Sequence, residues 1–273
     1  MSFCSQNNED KILDEIIEKL NIGEQESHWC VEFGAWDGIV GSNTYHFISE
    51  KNYKSVLIEA DEKKYAELVK NMEPYDATCI QRFVTFEEKN SLDNIFKETD
   101  IPKDFTFLSI DIDGNDYHVW DSLKEYRPKI VVIEFNPSIS NEVEFVQPKD
   151  MSLNQGCSPL SLAKLGKTKG YELVATTLNN CFFVTKELYP RLNIDDNSLY
   201  KLRTDLSRVT YIFNEYDGHV FLRGHCKLDL YSLPYFEDRM QMIPSFLQGW
   251  NIQNRFKKRL QTIHRSLKKR KIL

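Results

Sequence analysis

Short apolar segments alternate with helix-forming segments through the first half of the chain. The apolar segments cover residues 29–34, 55–60, 77–84, 105–113 and 129–135. Between them, residues 44–50, 62–71, 91–97 and 118–126 have helical spacing, and Ile12 to Leu20 predicts an amphipathic opening helix. Strands that alternate with helices predict a doubly wound α/β sheet with parallel strands and right-handed crossovers.

The pattern changes after the fifth predicted strand. Residues 160–169 read as a helix, and residues 171–177 and 181–188 read as two strands joined by a short Asn-rich turn. This hairpin completes a mostly parallel seven-stranded sheet. We therefore predict one domain at residues 1–190, an accessory or lid region at 191–245, and a basic amphipathic helix at 246–273.

Composition leaves this α/β interpretation unchanged, but charge divides the chain. The 273 residues are 41% hydrophobic and 28% charged, which is typical of a globular protein. The formal charge is only -6, so no nucleic-acid partner is expected from it. Residues 255–273 contain nine Lys/Arg and no Asp/Glu, which leaves 26 basic against 41 acidic residues in the rest. An acidic body of -15 thus carries a basic extension of +9.

Several classes of protein are excluded by what the sequence lacks. It has no run of roughly 20 apolar residues, and its N-terminus resembles no signal peptide. The six cysteines are scattered without a CxxC pair, which predicts neither a disulfide framework nor a zinc ribbon. We expect a cytoplasmic protein.

Acidic residues follow nearly every predicted strand, at the edge where an open α/β sheet binds its ligand. The first strand ends in Glu32, with Gly34 and Gly38 in the turn that follows, and the second strand ends in Glu59. The two glycines permit close approach of the backbone to a ligand. A carboxylate at the second strand end suits the two hydroxyls of a ribose. Together they predict a nucleoside site.

The chemistry of that nucleoside follows from the motifs that are missing. The chain has neither a GxxxxGK[ST] element nor a full GxGxxG after the first strand, so a dinucleotide is a weaker candidate. An acid-rich crevice attracts a cation. The cofactor that combines a ribose with a positive charge and no phosphate is S-adenosylmethionine.

The fourth and fifth strands predict the catalytic part of the site. The fourth strand ends in Asp111 and Asp113, and the fifth ends in Glu134 and Asn136. Side chains alternate along a strand, which would place Asp111 and Asp113 on one side of an extended chain. Asp111, Asp113 or His118 are candidate bases for a hydroxyl proton. Alternatively, Asp111, Glu134 and Asn136 are candidate ligands of Mg²⁺ or Mn²⁺, which would lower the pKa of the hydroxyl directly.

Six ordered segments between about residue 5 and residue 190 resemble the FkbM-like group of class I S-adenosylmethionine-dependent methyltransferases. They are SQNNED, VEFGAWDG, LIEAD, LSIDIDGNDYHVW, RPKIVVIEFNP and GCSPLSLAKLGKTKGYELV with the NNCFFV hairpin. The resemblance implies cofactor contacts from Glu32, Gly34, Gly38, Glu59 and Asp111, with Asp111 and Asp113 beside the methyl group. One departure is Asn8, where the family often has glycine, so we expect a slightly different start of the first helix.

The resemblance also implies an activity. Such enzymes methylate hydroxyls, so we expect an O-methyltransferase that acts on a small molecule, with a sugar or a surface-polysaccharide precursor as the leading acceptor. Two alternatives remain. One is an inactive nucleoside-binding or scaffold protein, and the other is a methyltransferase with a non-sugar acceptor.

The basic extension allows two interpretations. Phe256, Leu260, Ile263 and Leu267 fall on one face of a helix with Lys and Arg around them. This pattern is consistent with peripheral contact with an anionic membrane or with nucleic acid. It is equally consistent with a solvated end helix whose apolar stripe packs on the acidic body.

Overall fold

A computed structural model describes residues 4–22, 28–228, 231–249 and 255–269. The chain divides into two compact units, Met1–Leu206 and Ser207–Leu273. The first unit therefore extends beyond residue 190, the predicted end of the methyltransferase domain.

The first unit is built on one seven-stranded sheet in the order β3-β2-β1-β4-β5-β7-β6. Strands β1 to β5 pair in parallel, and β7 lies antiparallel between β5 and β6. This mostly parallel seven-stranded sheet with a terminal hairpin confirms the predicted doubly wound α/β fold. The strands are β1 Trp29–Phe33, β2 Lys54–Glu59, β3 Ala77–Gln81, β4 Phe107–Ile110, β5 Ile130–Glu134, β6 Tyr171–Thr176 and β7 Asn180–Thr185.

Helices cover both faces of this sheet, which is why its central strands read as continuous apolar runs. Val31 and Phe33 of β1 pack into the core on one face, while Cys30 of the same strand packs into the core on the other. The helices of the first unit are α1 Glu9–Leu20, α2 Tyr45–Lys51, α3 Glu62–Met72, α4 Leu92–Phe96, α5 Asp116–Ser122, α6 Pro159–Thr168 and α7 Leu199–Leu202.

The fourth strand is shorter than predicted. It ends at Ile110, and Asp113 has a φ of 56°, so the alternation argument for Asp111 and Asp113 was wrong. The Asp116 carboxylate accepts hydrogen bonds from the backbone N–H groups of Ile112 and Gly114, at 2.9 Å each, and bends the chain into a loop. Helix α5 consequently begins at Asp116, two residues before the predicted position.

The start of α1 accounts for the departure at Asn8. Asn8 precedes the helix with φ 62° and ψ 33°, which is the left-handed conformation that favours glycine. Asparagine is among the few other residues that adopt it readily. The backbone geometry at this position is therefore one that Asn and Gly share.

The second unit contains two short antiparallel ribbons and one longer helix. The ribbons pair β8 Thr210–Asn214 with β9 Val220–Gly224, and β10 Lys227–Leu228 with β11 Leu233–Pro234. The helix, α8, spans Arg255–Lys269 of the predicted 246–273, of which residues 250–254 and 270–273 lie outside the described residues. The lid role of residues 191–245 stays a prediction. Within the described ranges, no helix is both long and apolar enough to cross a membrane.

Candidate functional site

The carboxyl ends of β1, β2, β4 and β5 surround a cleft of about 710 Å³, here called the main cleft. Its wall includes most of the predicted site residues, namely Glu32, Gly34, Glu59, Asp111, Asp113 and Glu134. A side cavity of about 260 Å³ shares Gly34, Glu59, Ile112 and Asp113 with it. The strand ends thus form one continuous site with two compartments.

Gly34 lies where the loops after β1 and β4 approach each other. It has a φ of +73°, and a Cβ placed on it would lie 2.2 Å from the Asp111 carbonyl oxygen. A side chain there would drive the two loops apart. Gly38, in contrast, does not line the main cleft or the side cavity. A Cβ at Gly38 would lie 2.6 Å from Leu68 Cδ1, so a glycine at this position allows the loop to pack closely against α3.

Glu32 forms part of the cleft wall and also organises a neighbouring loop. Its carboxylate accepts hydrogen bonds from Ser42 Oγ (2.6 Å), Thr44 Oγ1 (2.7 Å) and the Asn43 backbone N–H (2.9 Å). Burial raises the pKa of Glu32, although these hydrogen bonds oppose the rise. The loop from Ser42 to Thr44 is therefore fixed by an acid that lies behind it.

Glu59 stands on the wall that both compartments share. It is 8% exposed, and it accepts backbone N–H hydrogen bonds from Trp36 (2.8 Å) and Asp61 (2.7 Å). These two bonds fix the carboxylate while leaving each oxygen a further lone pair. Such a group can accept hydrogen bonds from two adjacent hydroxyls, as the predicted ribose requires.

The side cavity next to Glu59 was missed by sequence reasoning. Its apolar lining includes Ile58, Phe83, Val84 and Met151, and Asn154 adds an amide. Apolar walls with a few polar groups suit a flat nucleobase. Phe83 belongs to the apolar run after β3, which is the signal that was available. Met151 and Asn154 come from a loop that no strand or helix pattern marks.

Three carboxylates meet at the far side of the main cleft. One oxygen each of Asp111, Asp113 and Glu134 lies within 4.8 Å of the others. Burial, and then the neighbouring Glu134 carboxylate, raises the pKa of Asp111 well above its usual range. Burial, and then Asp116, raises the pKa of Glu134 to about 7. Desolvation and the like charge of neighbouring carboxylates both favour the protonated forms of Asp111 and Glu134, so the pair holds protons more tightly than ordinary acids do.

The loop before α1 and the turn before β7 support this acid pair. Asn179 Nδ2 donates a hydrogen bond to Glu134 Oε1 (3.2 Å), and Asn7 Nδ2 donates to Asn179 Oδ1 (2.8 Å). Nearby, the buried Glu9 accepts from Thr177 Oγ1 at 2.8 Å. The SQNNED and NNCFFV segments therefore meet beside β5, although more than 160 residues separate them in the sequence.

Two candidates are not brought into the acid cluster. Asn136 Oδ1 accepts hydrogen bonds from the backbone N–H and the hydroxyl of Ser138, at 3.0 and 2.6 Å, so its oxygen is engaged in a local turn. His118 lies on α5, and its Nε2 donates to the Gln147 carbonyl at 2.9 Å. Neither residue lines the main cleft or the side cavity. The third carboxylate of the cluster is Asp113, which the predicted metal set did not contain.

Comparison with known families gives one match. Residues 85–155 match the model described as Methyltransferase FkbM domain. The matched range begins after β3 and contains the acid cluster. No curated protein matches the chain.

Solved structures of methyltransferases resemble part of the chain at low identity. A SAM-dependent methyltransferase from Aquifex aeolicus is 12% identical over 65% of this chain and 88% of its own, with a TM-score of 0.38. TrmK from M. capricolum, solved with S-adenosyl-homocysteine, is 12% identical over 62% of this chain and 66% of its own, with a TM-score of 0.34. The CMeT domain of the citrinin polyketide synthase is 10% identical over 65% of this chain and 51% of its own, with a TM-score of 0.44.

Proposed function

We propose that this chain, an S-adenosylmethionine-dependent methyltransferase of the FkbM-like family, methylates a hydroxyl oxygen of a sugar or a surface-polysaccharide precursor. The observation that carries the proposal is the acid pair, Asp111 and Glu134, which is half-buried on the wall of the main cleft. An unactivated hydroxyl needs a base of suitable pKa within reach, and the pair supplies one.

The residues of the two compartments fit S-adenosylmethionine. Glu59, at the shared wall, would hold the ribose, and the side cavity would hold the adenine. The methionine part would then lie in the main cleft, where Glu32 and the acid cluster complement its positive charge. Gly34 keeps this passage open, because a Cβ there would meet the Asp111 backbone. When bound, the cofactor supplies a methyl group on a positively charged sulfur.

The chain itself has two tasks in the reaction. The cleft aligns the acceptor oxygen with the methyl carbon, and alignment alone contributes much of the rate. The carboxylate form of the Asp111 and Glu134 pair would accept the hydroxyl proton as the methyl carbon bonds to the acceptor oxygen and its bond to sulfur breaks, which leaves S-adenosyl-homocysteine. Because the pKa of Glu134 is raised to about 7, its carboxylate is a stronger base than an ordinary glutamate.

The same oxygen atoms support the second predicted mechanism. Asp111, Asp113 and Glu134 offer the oxygen ligands that Mg²⁺ and Mn²⁺ prefer. A cation there would lower the pKa of the acceptor hydroxyl and replace the base. Assays in chelator, with and without added Mg²⁺ or Mn²⁺, decide between the two. Activity that survives chelation supports the acid pair, and activity restored only by the metal supports the cation.

The mouth of the main cleft favours a saccharide acceptor. Trp36 is 53% exposed there, and the part of its ring that Lys64 Nζ, 4.4 Å from the centroid, leaves open can meet the apolar face of a sugar. The exposed side chain of Gln6, which also lines the cleft, can hydrogen-bond sugar hydroxyls. The predicted cytoplasmic location is part of the proposal. It is supported by the six cysteines, all within the described part of the chain, since none forms a disulfide.

The proposal is tested by measuring S-adenosyl-homocysteine formation with a panel of monosaccharides, nucleotide sugars, phenols and RNA. We expect turnover with a saccharide, and a methyl ether in the product by mass spectrometry and NMR. Turnover with only phenols or RNA would identify a non-sugar acceptor. Failure to bind S-adenosylmethionine would support the inactive, scaffold alternative.

A further inference from the structure

The two units of the chain carry opposite charge. Residues 207–273 contain 13 Lys/Arg and 5 Asp/Glu, a formal charge of +8, whereas residues 1–206 contain 22 and 36, a charge of -14. The proposed methyl transfer uses only residues of the first unit. An anionic partner of the protein is therefore attracted to the second unit, and most strongly to its longer helix.

Helix α8 concentrates that positive charge. It is 15 residues long, about 22 Å, and it has no acidic residue. Helical spacing places Phe256, Leu260, Ile263 and Leu267 along one stripe. The cations spread over the remaining circumference and are all exposed: Arg255, Lys257, Lys258, Arg259, Arg265, Lys268 and Lys269.

Two hydrogen bonds join α8 to other described residues of the second unit. Gln261 Nε2 donates a hydrogen bond to the Leu247 carbonyl (2.7 Å), and His264 Nε2 donates to the Met242 carbonyl (3.0 Å). Leu260 and Leu267 are half-buried as a result, but no residue of α8 is buried. The apolar stripe is thus only partly covered.

Large apolar side chains remain exposed on α8 and on the segment that it contacts. Phe256 is 67% exposed and Ile263 is 54% exposed, while Met242 and Phe246 are each 64% exposed. We call these four side chains, together with the seven cations of α8, the α8 surface. Apolar groups at the border of a basic helix are characteristic of helices that lie in a membrane interface.

We propose that the α8 surface docks on an anionic phospholipid bilayer, with α8 lying in the plane of the interface. Its cations would contact the lipid phosphates and carboxylates, and its exposed apolar side chains would enter the boundary between headgroups and acyl chains. A nucleic acid would also attract the cations, but most of its binding energy comes from phosphate contacts. It would gain little from Ile263 and Phe246, which is why the observations favour lipid.

The test is sedimentation of the full chain with vesicles, followed over a range of lipid concentration. Wild-type protein should bind phosphatidylcholine vesicles that contain about 30% phosphatidylserine and should not bind pure phosphatidylcholine. Salt near 1 M, which shortens the screening length to about 3 Å, should weaken binding strongly. These comparisons need no variant, so they do not depend on whether a substitution disturbs folding.

Two sets of variants separate charge from apolar contact. Lys257→Gln, Lys258→Gln and Arg259→Gln combined should weaken binding to the mixed vesicles about 100-fold, near fivefold for each lost cation. The matched control removes three exposed lysines of the first unit, Lys19, Lys89 and Lys167, and should bind like wild type. Ile263→Ser and Phe246→Ser should each weaken vesicle binding about tenfold.

Binding that needs both the anionic lipid and the exposed apolar side chains would support the proposal. Absence of wild-type binding to the mixed vesicles would overturn it. A second result would also overturn it: Ile263→Ser binds vesicles like wild type, and the protein binds a single-stranded oligonucleotide more tightly than it binds vesicles, in a salt-sensitive way. That result would identify a nucleic-acid surface. Circular dichroism of each variant checks that α8 is still helical.

Discussion

Glu134, at the end of β5, carries a charge that is costly to the folded protein. Burial and then the Asp116 carboxylate raise the pKa of Glu134 from 4.5 to about 7. The folded protein therefore holds this proton more tightly than the unfolded chain does. Between these two pH values the unfolded state binds fewer protons than the folded state, so the free energy of unfolding falls as the pH rises.

The difference between the two pKa values corresponds to about 3 kcal/mol. Glu134→Gln keeps an oxygen that can accept the hydrogen bond from Asn179 but cannot ionise. We expect the variant to unfold with nearly the wild-type free energy near pH 4.5. Near pH 8 it should be more stable than wild type, by up to about 3 kcal/mol. It should also lose methyl transfer, because the proposed base is gone.

The assay is urea unfolding followed by tryptophan fluorescence at both pH values, with Glu73→Gln on the protein surface as the control for a lost charge. The control should change the free energy of unfolding by less than about 0.5 kcal/mol at either pH. A Glu134→Gln variant that is destabilised equally at both pH values would refute the argument, since it would mean that the carboxylate stabilises the fold and is not held there under strain.

Three further predictions concern single residues. Asn179→Ala removes a hydrogen bond that lowers the pKa of Glu134. The rise of kcat/KM with pH, expected near pH 7 for the wild type, should therefore move to higher pH. A profile that does not move would show that Asn179 does not act through Glu134. Gly34→Ala should lower the free energy of unfolding by at least about 2 kcal/mol, because the φ is positive and the new Cβ meets the Asp111 backbone. Gly38 also has a positive φ, but a Cβ there meets side-chain atoms that can move, so Gly38→Ala should cost less. Urea titrations that rank the two variants oppositely would contradict this. Asn8→Gly should leave the free energy of unfolding within about 0.5 kcal/mol of wild type, whereas Asn8→Ala should lower it by about 1 kcal/mol. Equal melting temperatures for the two variants would contradict the left-handed conformation at this position.

The strands could be predicted from the sequence because each central strand is buried on both faces. Cys30, Val31 and Phe33 all need apolar surroundings, so the run is continuous and its end is conspicuous. The acids Glu32, Glu59 and Glu134 could be placed for the same reason, since each lies at or next to the end of such a run. Parallel pairing then brings these ends to one edge of the sheet.

Side chains in the loops could not be placed in this way. The positive φ of Asp113 and the hydrogen bonds of the Asp116 carboxylate depend on a local turn that strand alternation does not describe. Asn136 was expected among metal ligands, but Ser138, two residues later, occupies its oxygen. Phe83 and Met151 both line the side cavity, and no local sequence pattern predicts this.

The central claim is that the main cleft and the side cavity together bind S-adenosylmethionine, with Glu59 on the ribose. Isothermal titration calorimetry of the wild type with S-adenosylmethionine tests it most directly, alongside Glu59→Ala and the exposed control Glu62→Ala. We expect the wild type and the control to bind equally. Glu59→Ala should bind at least about 100-fold more weakly, the loss expected for two hydrogen bonds to a charged group. No heat with the wild type, or equal affinity in Glu59→Ala, would contradict the account.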